Sequence, residues 1–132
     1  MTLPDAVQRE VALAPVTGVG GLFWRADDPD GLRAWYADAL GIVDPPGDVW
    51  HQEAGPTVVA PFTRDSDHFG LDQQFMINFR VRDLQGLLGQ LRDRGVAVVR
   101  QESEEGVGEF AWILDPEGNR IELWQPDEDT AT

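Results

Sequence analysis

Two arginines stand at equivalent places in the chain and could bind an anion. Arg25 lies three residues before Asp28, and Arg80 lies three residues before Asp83. A guanidinium group can bind a planar carboxylate through two parallel hydrogen bonds. One such arginine in each half of the chain therefore predicts a site for a small molecule with an acidic or polar group.

The groups that could hold a metal or move a proton are few. The chain has no cysteine and two histidines, His51 and His68, which excludes thiolate metal sites, disulfides and cysteine nucleophiles. Glu122 lies in a C-terminal strand candidate, where it could act as a general base or a metal ligand. His51 and Glu53 share one face of a short strand candidate and could form a displaced metal site with Glu122. His68 lies in an acidic linker and is expected to be exposed and uninvolved.

The elements that must position these residues occur twice. Asp28 and Asp83 are predicted helix N-caps and lie 55 residues apart. Gly41 and Gly95 are predicted to end the two helices and lie 54 residues apart. The predicted strands are Gly18–Ala26, Ile42–Val43, Val49–Glu53 and Thr57–Phe62 in the first half, and Gln74–Arg82, Val96–Gln101, Gly108–Leu114 and Asn119–Gln125 in the second. This repeated β-α-β-β-β order indicates an internal duplication.

Several motifs resemble those of the vicinal oxygen chelate superfamily, which includes glyoxalase I, extradiol dioxygenases and bleomycin resistance proteins. The most specific is Asp115-Pro116-Glu117-Gly118-Asn119-Arg120-Ile121-Glu122-Leu123, which is similar to the closing hairpin DP-[DE]-G-x-x-[IV]-E-[LF] of that superfamily. The helix entries are similar too: Asp28-Pro29 with Trp35-Tyr36 and Leu40-Gly41, and Arg80-Val81-Arg82-Asp83-Leu84 with Gly95-Val96.

The resemblance implies an α+β fold of two tandem βαβββ modules, which form a cupped mixed sheet with the helices outside. It predicts one domain over residues 17–126, with module one at about 17–63, a linker at 64–72 and module two at 73–126. Residues 1–16 are then an N-terminal extension, and residues 127–132 an acidic tail.

The resemblance also implies a divalent metal held by side chains of the first and last strands of each module. The four equivalent positions are Gly21, Met76, Glu122 and either Val59 or Ala60. Only Glu122 offers a ligand that suits a hard divalent ion. We therefore expect no metal cofactor. The alternative is a divalent ion held by Glu122 with His51.

Strand alternation predicts which side chains line the cleft between the modules. Glu122 is the tentative catalytic residue, and Arg120 and Trp124 share its face. The predicted ligand-binding residues are Phe23, Arg25, Met76, Asn78, Arg80, Phe110 and Trp112. Two alternatives stay open: Arg25 or Arg80 forms a salt bridge with Glu122, or Phe110 and Trp112 belong to the core. Ala111 and Ile113 are predicted to face the helices.

Three functions remain open at this point. The first is a glyoxalase/bleomycin-resistance-like protein that binds a small organic molecule without the usual metal. The second is a lyase, isomerase or dioxygenase that uses Glu122, and the third is a structural partner protein with a closed cleft. The net charge of −14 argues against nucleic-acid or membrane partners. We expect a cytoplasmic protein, and the resemblance implies a homodimer.

Overall fold

A computed structural model describes residues 14–42 and 49–128 of the chain. These residues form two helices and one four-stranded sheet, so the expected α+β class is confirmed. In chain order the elements are α1 (Pro29–Leu40), β1 (Asn78–Arg80), α2 (Leu84–Asp93), β2 (Val98–Glu104), β3 (Gly108–Leu114) and β4 (Arg120–Pro126). Val43, most of the N-terminal extension and the last residues of the tail lie outside the described residues.

Both helices begin where the sequence predicts. The carboxylate of Asp28 accepts a 3.1 Å hydrogen bond from the backbone N–H of Gly31, and Asp83 accepts one of 3.0 Å from Gly86. A Cβ atom at either glycine would lie 2.3 Å from a carboxylate oxygen of the cap. The absence of a side chain at this third helical position therefore lets each cap close tightly in both halves of the chain.

The helices also end near the predicted glycines. Gly41 adopts the left-handed conformation at φ 70°, and its N–H donates to Ala37 O. Helix α2 closes at Arg94, and Gly95 follows with φ 82°. Glycine adopts this conformation without the steric penalty of a Cβ atom.

The sheet has the strand order β1-β4-β3-β2. Strand β1 pairs with β4 in parallel, and the other two pairs are antiparallel. A turn in which Gly118 N donates to Asp115 O joins β3 to β4. The predicted strand Gly108–Leu114 matches β3 at both ends.

One face of this sheet packs against both helices. Leu32, Tyr36 and Ala39 are the buried residues of α1, and Leu84, Leu88 and Leu91 those of α2. From the sheet, Phe79, Ala111, Ile113, Ile121 and Leu123 complete this core. Ala111 and Ile113 thus face the helices as predicted, so Phe110 and Trp112, on the same strand, face the other way.

Three of the four strands predicted in the first half are not formed. Residues 18–26, 49–53 and 57–62 have no regular secondary structure, and β1 is shorter than the predicted Gln74–Arg82. Large apolar side chains along these segments are exposed, including Phe23 at 94% and Val59 at 87%. Apolar alternation favours an extended chain, but a strand also needs a neighbouring strand for its backbone hydrogen bonds. The described sheet supplies none to these segments.

Within residues 14–42 and 49–128, neither helix is long and apolar enough to cross a membrane.

Candidate functional site

One row of side chains crosses all four strands on the sheet face opposite the helices. Strand register pairs Asn78 with Glu122, Glu122 with Trp112, and Trp112 with Arg100. Directly opposed residues point to the same face of a sheet, so these four side chains are neighbours. Asn78 Nδ2 donates a 2.6 Å hydrogen bond to Glu122 Oε1. The guanidinium carbon of Arg100 lies 5.4 Å from the centre of the Trp112 ring.

A second row runs beside the first and has two aromatic side chains at its centre. Register pairs Arg80 with Trp124, Trp124 with Phe110, and Phe110 with Glu102. The Phe110 ring lies nearly parallel to the Trp124 ring at 6.1 Å and to the Trp112 ring at 6.0 Å. Trp112 and Trp124 are 1% and 3% exposed. The two rows therefore place two carboxylates, an amide and two arginines around a flat aromatic surface.

The linker covers this surface, and we name the covered side the linker face. The His68 ring lies 5.4 Å from the Trp112 ring, and His68 Nε2 lies 3.8 Å from Glu102 Oε1. The side chain of His68 is 29% exposed. The prediction that His68 is exposed is therefore wrong, because the ring is partly buried against the sheet. Its apolar neighbours explain the difference, because Phe62, just before the linker, packs on both His68 and Phe69.

Hydrogen bonds and ion pairs hold the linker on the sheet. Arg100 Nη1 lies 3.2 Å from Asp67 Oδ1, and Arg120 Nη1 donates to Asp67 O at 3.1 Å. Gln73 bonds to both backbone groups of Arg120: its Nε2 donates to the carbonyl at 2.8 Å, and its Oε1 accepts from the N–H at 2.9 Å. These bonds attach the linker to β2 and β4.

Burial dominates the electrostatics of Glu122. It raises the pKa of the Glu122 carboxyl above its usual range, because the charged form loses its water. The hydrogen bond from Asn78 and a positive charge on His68 act in the opposite direction, while Glu102 adds a smaller raising effect. A partly desolvated carboxylate of this kind can accept a proton or a hydrogen bond from a ligand.

Two donors on the linker face have no acceptor within residues 14–42 and 49–128. They are Trp112 Nε1 and Arg120 Nε, and both atoms are buried. Trp124, by contrast, donates through its Nε1 to Val107 O at 3.1 Å. Buried polar groups in folded proteins nearly always have a partner, so these two donors call for an acceptor from water or from a ligand.

The remaining predicted ligand-binding residues are Phe23, Arg25, Met76 and Arg80, and of these only Arg80 belongs to the two rows. Phe23 and Arg25 are exposed on a segment outside the sheet. The guanidinium of Arg80 donates to the backbone carbonyls of Pro56 and Glu53. Met76 is partly buried and precedes β1 by two residues. The proposed salt bridge to Glu122 is therefore not formed by Arg80, and Glu122 instead accepts its hydrogen bond from Asn78.

The sequence of this chain matches a known family. The family model of the glyoxalase-like domain matches residues 21–124 of this sequence. This chain is a member of the glyoxalase-like domain family. The resemblance to the vicinal oxygen chelate superfamily is thereby confirmed, together with the glyoxalase/bleomycin-resistance fold. A comparison with curated proteins finds no match.

Solved structures with this glyoxalase-like fold include proteins of different function. An antibiotic binding protein, TnmS3 from Streptomyces sp. CB03234, is 22% identical, with a TM-score of 0.57 over 85% of this chain and 98% of the other. Lactoylglutathione lyase from Agrobacterium tumefaciens is 19% identical, with a TM-score of 0.54 over 85% and 96%. A member of the glyoxalase/bleomycin resistance protein/dioxygenase superfamily from Sphaerobacter thermophilus DSM 20745 is 19% identical, with a TM-score of 0.56 over 83% and 98%. At these identities the likeness establishes the fold.

The glyoxalase-like fold implies a divalent metal, but the residues present do not fit one. Of the positions equivalent to the metal ligands, only Glu122 offers an oxygen donor. In the described parts of the chain, no three His, Asp or Glu side chains are arranged to hold a metal ion. The alternative cluster of His51, Glu53 and Glu122 is not formed. Glu53 instead pairs with Arg82, and His51 is exposed.

Sequence reasoning missed three residues of the site. Arg100 and Glu102 lie on β2, and His68 lies in the linker. Arg100 had a detectable signal, because it lies on the strand candidate Val96–Gln101, whereas Glu102 lies one residue beyond that candidate and within the longer β2. His68 had a weaker one, since a histidine between phenylalanines of a polar linker can anchor that linker to an aromatic surface.

Proposed function

We propose that this protein binds a small organic molecule on the linker face, without the usual metal site of the family. The observation that carries the proposal is the row Asn78–Glu122–Trp112–Arg100. In it a partly desolvated carboxylate stands beside a buried indole whose N–H has no acceptor among the described residues. Specific binding sites combine an apolar surface with a few placed polar groups, and this row has that composition.

The residues proposed to contact the ligand are Asn78, Phe110 and Trp112, with Glu122 at the polar end. Phe110 and Trp112 supply flat apolar area, while Asn78 orients the Glu122 carboxylate through its 2.6 Å hydrogen bond. Arg100, His68 and Arg120 surround this group and complete the proposed site. A neighbour of the same fold is described as an antibiotic binding protein, which agrees with a binding role.

The experiment is a screen of small organic molecules by ¹H–¹⁵N spectra of labelled protein. Binding at the linker face predicts shifts of the Trp112 indole signal and of the Asn78 side-chain amide. Glu122→Gln is the test variant and Glu104→Gln the matched control, because Glu104 is an exposed glutamate on β2. We expect Glu122→Gln to change the affinity of a hit and Glu104→Gln to leave it unchanged. A screen with no hit at this face would refute the proposal.

The alternative is an enzyme in which Glu122 acts as a general base. The raised pKa of Glu122 favours it, since a base works best when its pKa approaches the working pH. The two functions differ in one measurement. An enzyme of this kind would exchange an acidic C–H of a bound ligand with deuterium from D₂O, and Glu122→Gln would abolish the exchange. A binding protein would leave the ligand unlabelled.

We also propose that the protein is cytoplasmic and forms a homodimer. Each chain would divide into module one at residues 17–63 and module two at residues 73–126. The exposed apolar side chains of the first half support a second copy as the partner, notably Val19 at 63%, Val58 at 68% and Val59 at 87%. Apolar area of this extent is unusual on a monomer. Modules could pair within one chain or exchange between two. Light scattering coupled to gel filtration should give twice the chain mass; a monomer at micromolar concentration would refute the dimer.

A further inference from the structure

The unpaired donors on the linker face define what kind of atom the ligand brings. Trp112 Nε1 and Arg120 Nε are both buried N–H groups without an acceptor in the described part of the chain. An indole N–H can only donate, and so can a guanidinium. Burial without a partner carries a free-energy penalty, which a ligand acceptor would remove.

The neighbouring Trp124 shows that the missing acceptor is particular to the surroundings of Trp112. Trp124 lies on the same face and is 3% exposed, yet its Nε1 donates to Val107 O at 3.1 Å. Trp112 is 1% exposed and has no such carbonyl in the described part of the chain. The backbone thus satisfies one buried indole and leaves the other for a different acceptor.

The charges around Trp112 argue against an anionic acceptor. Arg100 is already paired with Asp67 at 3.2 Å and with Glu102 at 2.5 Å. Glu122 and Arg120 stand two residues apart on β4 and balance each other in charge. Arg80 lies on the same face, so three arginines stand against the three carboxylates of Asp67, Glu102 and Glu122 and leave no surplus positive charge to attract an anion. A ligand carboxylate beside Glu122 would add like-charge repulsion in a partly desolvated place.

We propose that the ligand is a neutral carbonyl compound with a flat apolar body, an inference that rests on the proposed small-molecule binding. Its oxygen would accept hydrogen bonds from Trp112 Nε1 and Arg120 Nε, and its body would lie against Phe110. Because the His68 ring covers the Trp112 ring at 5.4 Å, the linker has to give way for the ligand to enter.

The test uses three probes of similar shape: acetophenone, benzoate and ethylbenzene. The five indole N–H signals are followed in ¹H–¹⁵N spectra of the full chain and assigned with Trp→Phe variants. Acetophenone should move the Trp112 indole proton downfield and leave the Trp124 proton in place, because the latter already has its acceptor. Acetophenone should also bind at least about tenfold more tightly than ethylbenzene, because its oxygen would accept two hydrogen bonds, one of them from a charged guanidinium. Benzoate should bind more weakly than acetophenone.

Variants distinguish two causes of a change in affinity: the loss of the hydrogen bond and the loss of apolar contact area. Trp112→Phe removes one of the two donors and should lower the ratio of acetophenone to ethylbenzene affinity about three- to tenfold, while Trp35→Phe, on helix α1, should keep the ratio. If Trp112→Phe does not fold, Arg120→Lys removes the Nε donor, keeps the charge and should lower the same ratio.

The outcomes distinguish this inference from the proposed function. Tighter binding of benzoate, or acetophenone bound with an unmoved Trp112 proton, would overturn the carbonyl ligand and leave small-molecule binding intact. The carbonyl ligand is likewise overturned, and small-molecule binding retained, if the screen gives hits while none of the three probes binds. A screen without hits would overturn both.

Discussion

The hydroxyl of Tyr36 donates a 2.8 Å hydrogen bond to Asp115 Oδ2 and so joins helix α1 to the turn between β3 and β4. Tyr36 is 5% exposed and Asp115 is 4% exposed. Asp115 also accepts from the backbone N–H groups of Glu117 and Asn119 and from the Asn119 side chain. The first residue of the closing-hairpin motif is therefore a structural anchor that ties the two halves of the chain together.

Removal of the Tyr36 hydroxyl should destabilise the protein. Tyr36→Phe keeps the ring packed but takes one donor from a buried carboxylate, which should lower the free energy of unfolding by about 2 kcal/mol. Urea unfolding measures this change, and a double-mutant cycle with Asp115→Asn isolates the pair. A change below about 0.5 kcal/mol would mean that the contact contributes no more than an ordinary surface position.

The same pair predicts a loss of stability in alkali. Burial first, and then the hydrogen bond and charge of Asp115, raise the pKa of Tyr36 well above its usual value of 10.0. Above that value the unfolded chain loses the phenol proton while the native chain keeps it, so stability falls as the pH rises. Tyr36 is the only tyrosine. Tyrosinate absorbance should therefore increase only as the protein unfolds; a reversible increase near pH 10 in the folded state would contradict this.

Glu117 should stabilise the start of helix α1. Its two carboxylate oxygens accept hydrogen bonds of 2.7 and 2.9 Å from the backbone N–H groups of Asp27 and Asp28. Glu117→Ala should cost about 1 to 2 kcal/mol, as the loss of a helix cap does, and should speed hydrogen exchange at these two amides. Glu105→Ala, in the exposed turn after β2, is the control. Equal exchange at Asp27 and Asp28 in the two variants would argue against the role.

Glu122 should make the stability fall as the pH rises above its usual carboxyl range. Burial raises the pKa of Glu122 in the native state, so with rising pH the unfolded chain releases this proton at a lower pH than the native chain does. Between the two pKa values the free energy of unfolding therefore decreases, and above the native pKa it levels off. Glu122→Gln keeps the acceptor for Asn78 and removes the charge. The variant should be more stable than the parent at neutral pH and gain nothing at pH 3. Melting temperatures of both proteins across this range test the prediction; parallel curves would show that Glu122 is not desolvated.

The purified protein should hold no stoichiometric divalent metal. Three of the four positions equivalent to family ligands lack a donor side chain, and one glutamate does not retain Mn²⁺, Fe²⁺, Ni²⁺ or Zn²⁺. Elemental mass spectrometry after incubation with these ions and gel filtration is the measurement, with Glu122→Ala treated identically. Near-stoichiometric metal that disappears in Glu122→Ala would restore a metal-dependent function, and His51 would be the next residue to change.

Local chemistry made several features predictable from the sequence. Asp28 and Asp83 cap helices because a short carboxylate reaches the free N–H groups of the first turn. Strand alternation separated Ala111 and Ile113 from Phe110 and Trp112, because neighbouring side chains of a strand point to opposite faces. The family motif and the absence of ligand side chains at three metal positions also follow from residue identities alone.

Tertiary structure decided the rest, because it depends on partners that are distant in the chain. Residues 18–26 and 49–62 have strand-like sequences but lack a neighbour in the described sheet, and their apolar side chains stay exposed. His68 and Trp112 are 44 residues apart, so only the folding of the linker over the sheet could bring their rings to 5.4 Å. The sequence likewise did not predict which side chains meet on the linker face. Nor did it predict that two donors there, Trp112 Nε1 and Arg120 Nε, lack an acceptor among the described residues.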